Sequence, residues 1–161
     1  MPSFDIVSKA DLQEVDNAIN QTVKEITGRY DFKGTKSEIK RQDNILTLLG
    51  DDDYKLTALI DILKGKLIKR GVSVKFLDFK KREEASKGMM RQEVEIKEGI
   101  DKESSKKIIQ EIKKIAPKAG VENLKDHLRV NSKSKDELQS IISHLKTVPL
   151  EIELIWTNFR D

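Results

Sequence analysis

The segment Arg29-Tyr30-Asp31-Phe32-Lys33-Gly34 has the residue types needed to hold a flat, anionic molecule: two aromatics interleaved with an arginine and a lysine, closed by a glycine. Rings offer stacking surfaces, Arg and Lys pair with phosphate oxygens, and glycine lets backbone approach a ligand closely. The same residues also fit a structural reading. Tyr30 and Phe32 would then plug the core where a helix meets a sheet, with Arg29 and Lys33 exposed beside them.

Cations recur elsewhere. From Lys64 to Arg82 there are eight basic residues, Lys69 and Arg70 among them, against the single acid Asp78. From Lys102 to Lys118 there are six against Glu103 and Glu111. Such clusters bind phosphate without demanding fixed geometry, although a run of charge is also how a solvated helix face reads. The final residues, Asn158-Phe159-Arg160-Asp161, place an aromatic and an arginine where a tail without a role would be polar and frayed, so the tail is expected to pack onto the body.

Other chemistries are poorly served. His127 and His144 are the only histidines, one beside an expected strand and the other on an expected helix, which argues against a paired metal or acid–base site. Asp51-Asp52-Asp53 has the charge to attract Mg²⁺, but a carboxylate run before an apolar stripe is better read as a helix N-terminus. Neither GxxxxGK[ST] nor GxGxxG occurs, and Gly65-Lys66 falls inside a helical stripe. No serine has a histidine at informative spacing. The expectation is a protein that is not an enzyme and has no metal and no cofactor.

The elements that must position these residues follow from periodicity. Ser3 to Ser8 alternates as a strand, and Leu12, Val15, Ile19, Val23 and Ile26 fall on one helical stripe. Strands are expected at Thr35–Arg41 and Ile45–Leu49 around the turn Gln42-Asp43-Asn44. A second stripe, Leu56, Leu59, Ile60, Leu63 and Leu67, ends at Gly71 as a C-cap, and Val72–Phe79 reads as a strand. The order then repeats: a strand holding Val94 and Ile96, a helix with Ile108, Ile112 and Ile115 stopped by Pro117, and short strands at Val121–Leu124 and Leu128–Asn131. A helix with a capping box at Ser134–Glu137 and a strand at Leu150–Trp156 complete it.

One pattern used twice, βαββαβ, predicts an α+β protein of two ferredoxin-like sandwiches, each an antiparallel sheet with helices on one face. The expected division is a first unit at 1–80, a charged linker at 81–90 and a second unit at 91–161. An alternative lets Ser3–Ser8 be exchanged into the second unit's sheet. Length permits one or two domains, and the charge of +3 at pH 7 is small. There is no cysteine, no long apolar run and no signal-peptide pattern, so the expected location is the cytoplasm.

Four motifs in matching order, Pro2-Ser3-Phe4-Asp5-Ile6-Val7-Ser8, Arg29 to Gly34, Lys69-Arg70-Gly71 and Asn158 to Asp161, make the whole chain resemble the YajQ family of bacterial nucleotide-binding proteins. The resemblance implies two ferredoxin-like domains similar to RNA-binding modules, binding of cyclic di-GMP, GTP or RNA such as tRNA, and work with a transcription regulator as partner. The chain departs from the family at Met90, where relatives carry an aromatic, and no strand has the aromatic consensus of RNA-recognition domains.

Two functions are carried forward. In the first, Arg29, Lys33, Lys69, Arg70 and Arg160 pair with phosphates while Tyr30, Phe32 or Phe159 stacks on a base. In the second, the chain is an adaptor that docks a partner protein through a free sheet face or edge.

Overall fold

The computed structural model describes residues 1–161, which fall into two compact units. One comprises Ala10–Lys97 and the other Met1–Lys9 with Glu98–Asp161.

In the unit at 10–97, α1 (Leu12–Gly28) starts at Asp11, whose carboxylate accepts the Gln13 and Glu14 amides, as an N-cap should. Its inward face is Val15, Ala18, Ile19, Thr22 and Ile26. Val23, on the expected stripe, is exposed, and Thr22 takes the inward place by donating its hydroxyl to the Ala18 carbonyl. Strands β2 (Glu38–Gln42) and β3 (Ile45–Gly50) form a hairpin. Helix α2 (Asp53–Lys69) is capped by Asp52 and seals Leu56, Leu59, Leu63 and Leu67 completely. At about 1.5–3 kcal/mol for each fully buried leucine, that row anchors the core. Gly71, at φ 79°, closes the helix: its amide donates to the Ile68 carbonyl and that of Val72 to Leu67, a Schellman motif.

The sheet of this unit is completed by β4 (Leu77–Phe79), β5 (Glu83–Glu84) and β6 (Met90–Ile96), in the order β2-β3-β6-β4, with β5 also beside β6. Only Leu77–Phe79 of the expected Val72–Phe79 strand pairs; Val74–Phe76 is a 3-10 turn.

The other unit contains β1 (Ser3–Val7), α3 (Lys102–Ile115), β7 (Gly120–Leu124), β8 (His127–Asn131), α4 (Lys135–Leu145) and β9 (Ile155–Arg160), with sheet order β7-β8-β1-β9. Phe4 and Ile6 point to α3 and α4, into a core with Ile108, Ile112, Leu128, Val130, Ile141 and Leu145.

Both sheets are antiparallel and the ferredoxin-like α+β arrangement holds. The division at 1–80, 81–90 and 91–161 does not describe the sheets. Met90–Ile96, expected as the last linker residue and the start of the second unit, is the central strand of the first, because its backbone pairs with β3 from Ile45↔Glu95 to Gly50↔Met90 and with β4 on its other side. Ser3–Val7 lies between β8 and β9, the exchanged-strand alternative. Residues 81–90 are tied down: the Arg82 guanidinium donates to Gln92 Oε1 (3.1 Å), Thr57 Oγ1 (2.9 Å) and Asp53, and β5 pairs with β6. The closing strand is Ile155–Arg160, not Leu150–Trp156. Leu150 and Ile152 do bury as alternation requires, but the open side of β1 is taken by the later residues.

Candidate functional site

The eight residues singled out from sequence occupy three separate places. Arg29 caps the end of α1 and is held by Glu25 (3.3 Å) and by both Asp31 oxygens (2.9 Å each). This pairing keeps the Asp31 carboxyl below its ordinary range. Phe32 is 4% exposed and joins the core, with the Lys55 ammonium 5.1 Å and the Arg29 guanidinium 5.7 Å from its ring centroid. It offers no open stacking face, which corrects its assignment as a base contact. Tyr30, in contrast, is 90% exposed, and the Lys33 side chain is exposed without an ion-pair partner.

Lys69 and Arg70 stand at the other end of the helix pair. Arg70 lies 3.7 Å from Glu14 in the first turn of α1, whereas the Asp31 carbonyl accepts from Lys55 in the first turn of α2. The helices therefore run antiparallel, and fifteen residues of α2 at about 1.5 Å each put roughly 22 Å between Lys55 and Arg70, while Glu25 holds both Arg29 (3.3 Å) and Lys66 (2.9 Å), the latter one turn before Arg70. Arg29 and Arg70 are each held by carboxylates, Arg29 by Glu25 and Asp31 and Arg70 by Glu14.

Phe159 and Arg160 come together on β9 in the other unit. They border a hollow of about 230 Å³ shared with Ser3, Lys135, Leu138 and Gln139. One face of the Phe159 ring lies on Phe4, with centroids 5.7 Å apart and planes 25° apart, and the residue remains 56% exposed. Trp156 meets the edge of Phe4 at 6.3 Å and steadies that ring. Arg160 enters no ion pair, while Lys135 holds Asp161 at 2.5 Å and depresses its carboxyl pKa. The hollow thus combines a backed aromatic face with Gln139, while the side chain of Arg160, paired with Ser3, leaves β9 on the opposite face of the sheet with its guanidinium uncommitted. It falls below the roughly 300 Å³ at which ligand pockets begin, so it suits one flat ring with the rest of a ligand outside.

Sequence reasoning pointed to the tail and not to Lys135 and Gln139, which border the same hollow because Ser134 caps α4 and starts the helix beside β9. It also missed Tyr54, 80% exposed next to Lys55; an aromatic off the apolar stripe of α2 was the available signal. Both histidines are engaged by carboxylates, His144 with Glu111 (2.8 Å) and His127 with Asp126 (2.7 Å). No helix is long and apolar enough to cross a membrane.

The open face of the sheet at 10–97 has a mixed lining. A broader hollow of about 530 Å³ there is bordered by Glu38, Lys40, Gln42, Thr47, Leu49 and Arg91, without an aromatic.

Residues 2–160 match the family model described as nucleotide-binding protein YajQ-like. A protein of Geotalea uraniireducens named as a nucleotide-binding protein is 54% identical over 161 residues, covering all of both chains. Proteins of the same description from Syntrophotalea carbinolica and Magnetococcus marinus are 54% and 52% identical, also over all of both chains.

Proposed function

This chain belongs to the YajQ-like family of nucleotide-binding proteins, and we propose that it is itself a non-enzymatic nucleotide-binding protein whose base-holding site is the Phe159 hollow. The observation that carries the reading is the Phe159 ring, backed by Phe4 and open on its other side, next to the unpaired Arg160. A base stacks on the open face, Gln139 hydrogen-bonds its edge, and Arg160 pairs with a phosphate. The ligand is a guanine nucleotide, cyclic di-GMP or GTP, or an RNA such as tRNA. Occupancy is passed on, in the cytoplasm, to a partner such as a transcription regulator.

The test is isothermal titration with cyclic di-GMP, GTP and a short tRNA fragment at two salt concentrations. Stacking is worth about 1–3 kcal/mol per base, so Phe159→Ala weakens binding roughly tenfold or more, and Arg160→Ala removes part of the salt dependence. Wild-type silence towards all three probes, or unchanged affinity in both variants, overturns the reading.

The adaptor reading is favoured by one observation: β2 pairs only with β3, leaving the outer backbone groups of Glu38–Gln42 open to an added strand. A partner captured through that edge survives nuclease treatment.

A further inference from the structure

We propose that Asn158 is a positioning residue, whose left-handed backbone sets the face of the sheet on which Phe159 stands. The inference rests on the reading of the Phe159 hollow as the base site.

Side chains alternate along a strand, and a shift of one residue moves every later side chain to the opposite face. Along β1 and β9 the partners are Ile6↔Trp156 and Asp5↔Thr157, then Ser3↔Arg160. Between the last two pairs, Phe4 alone faces both Asn158 and Phe159, so β9 carries a bulge of one extra residue. Strict alternation from Thr157, opposite Asp5, would return Phe159 to the open face of the sheet, away from Phe4 and α4. The bulge cancels that step. Phe159 is delivered to the helix-covered face, where it stacks on Phe4 and borders the hollow with Leu138 and Gln139.

Asn158 is the residue that absorbs the extra step. Its φ is 55°, in the left-handed region that side chains other than Asn, Asp and Gly resist. Its side-chain Nδ2 donates to Asp5 Oδ2 at 2.8 Å, across 153 residues of sequence. Asp5 is fixed in turn: it is 6% exposed and accepts Arg129 Nε at 2.8 Å and Nη2 at 3.3 Å. A glycine at 158 would reach the same φ without this anchor, and an alanine would supply neither.

The test compares Asn158→Ala and Asn158→Gly in the full chain, reading the ring–ring nuclear Overhauser contact between Phe159 and Phe4 without ligand and the affinity for GTP. Asn158→Ala is expected to lose the ring contact and to weaken GTP at least tenfold. Adding Phe159→Ala to it should then cost nothing more, since the ring is already displaced. Asn158→Gly should keep the contact and lose no more than about threefold. A ring contact preserved in Asn158→Ala, or losses that add in the double variant, overturns the proposal. If the wild type binds none of GTP, cyclic di-GMP and the tRNA fragment, the binding reading falls, and the ring contact alone still decides what Asn158 positions.

Discussion

The Phe159 ring stacks on the Phe4 ring with centroids 5.7 Å apart, so the first and last strands of the unit share one aromatic pair. The two members differ sharply in burial, Phe4 at 0% and Phe159 at 56% exposed. Phe4→Ala should therefore cost about 3–5 kcal/mol, the range for emptying a buried aromatic site, and Phe159→Ala no more than about 1.5 kcal/mol, the value of an aromatic pair. Urea denaturation of both variants measures this, and equal losses would deny Phe159 its place as an exposed platform.

Asp161 holds Lys135 at 2.5 Å, so on the proposed reading it would compete with a phosphate for that lysine. Asp161→Asn should free that lysine and tighten GTP binding by about two- to fivefold at low salt, the modest gain expected of an exposed charge pair. Titration at low and high salt checks it: the gain shrinks as salt rises, and a gain independent of salt would contradict this origin.

Lys69 and Arg70 lie at the far end of α2 from Tyr30 and Lys33, and in a different unit from Phe159. The double variant Lys69→Ala/Arg70→Ala should leave GTP affinity within twofold of wild type. If RNA is bound along this unit, its affinity falls and its log–log salt slope loses about 1 to 2 units. A lost GTP affinity in a folded double variant would show that these residues reach the mononucleotide.

The Asp5 carboxyl is held below its usual value of 3.8, chiefly by the hydrogen bond from Arg129 and further by that from Asn158. A depressed folded-state pKa adds stability that is present above the unfolded value and is lost as pH falls through the folded one. Asp5→Asn should thus be less stable than wild type by about 1.5–3 kcal/mol at pH 7, the cost of a charge-assisted bond, and the gap should close below pH 3.8. Denaturation at a series of pH values reads the gap; one that is constant down to pH 2 would mean that the ion pair is not its source.

The segment Ala10–Lys97 is continuous and holds a whole sheet with both its helices, whereas Glu98–Asp161 lacks its central strand β1. A fragment spanning 10–97 should unfold cooperatively by circular dichroism. A fragment spanning 98–161 should not, until a peptide of residues 1–9 is added, because β8 and β9 have nothing to pair with between them. Cooperative folding of 98–161 alone would overturn this.

Local signals in the chain were enough for most of the elements. The stripe of α2 and its Gly71 cap, the capping residue Ser134 and the alternation of β1 are properties of neighbouring residues, and 3.6- and 2-residue periods report which face of an element is apolar. Motif order along the chain was likewise enough to bring out the family. Periodicity carries no information about which strand supplies the partner hydrogen bonds, and so Ser3–Ser8 could be recognised as a strand while both sheets stayed open to it, and the strand holding Val94 and Ile96 was placed in the wrong sheet. The same limit applied to the site. Basic and aromatic residues were visible one segment at a time, but Arg29 and Arg70 are engaged by carboxylates that lie outside their own segments, and burial withdrew Phe32. The bulge at Asn158, anchored on a carboxylate 153 residues away, turned Phe159 towards Lys135 and Gln139. Those outcomes depend on contacts between residues far apart in the chain, which only the packed tertiary structure brings together.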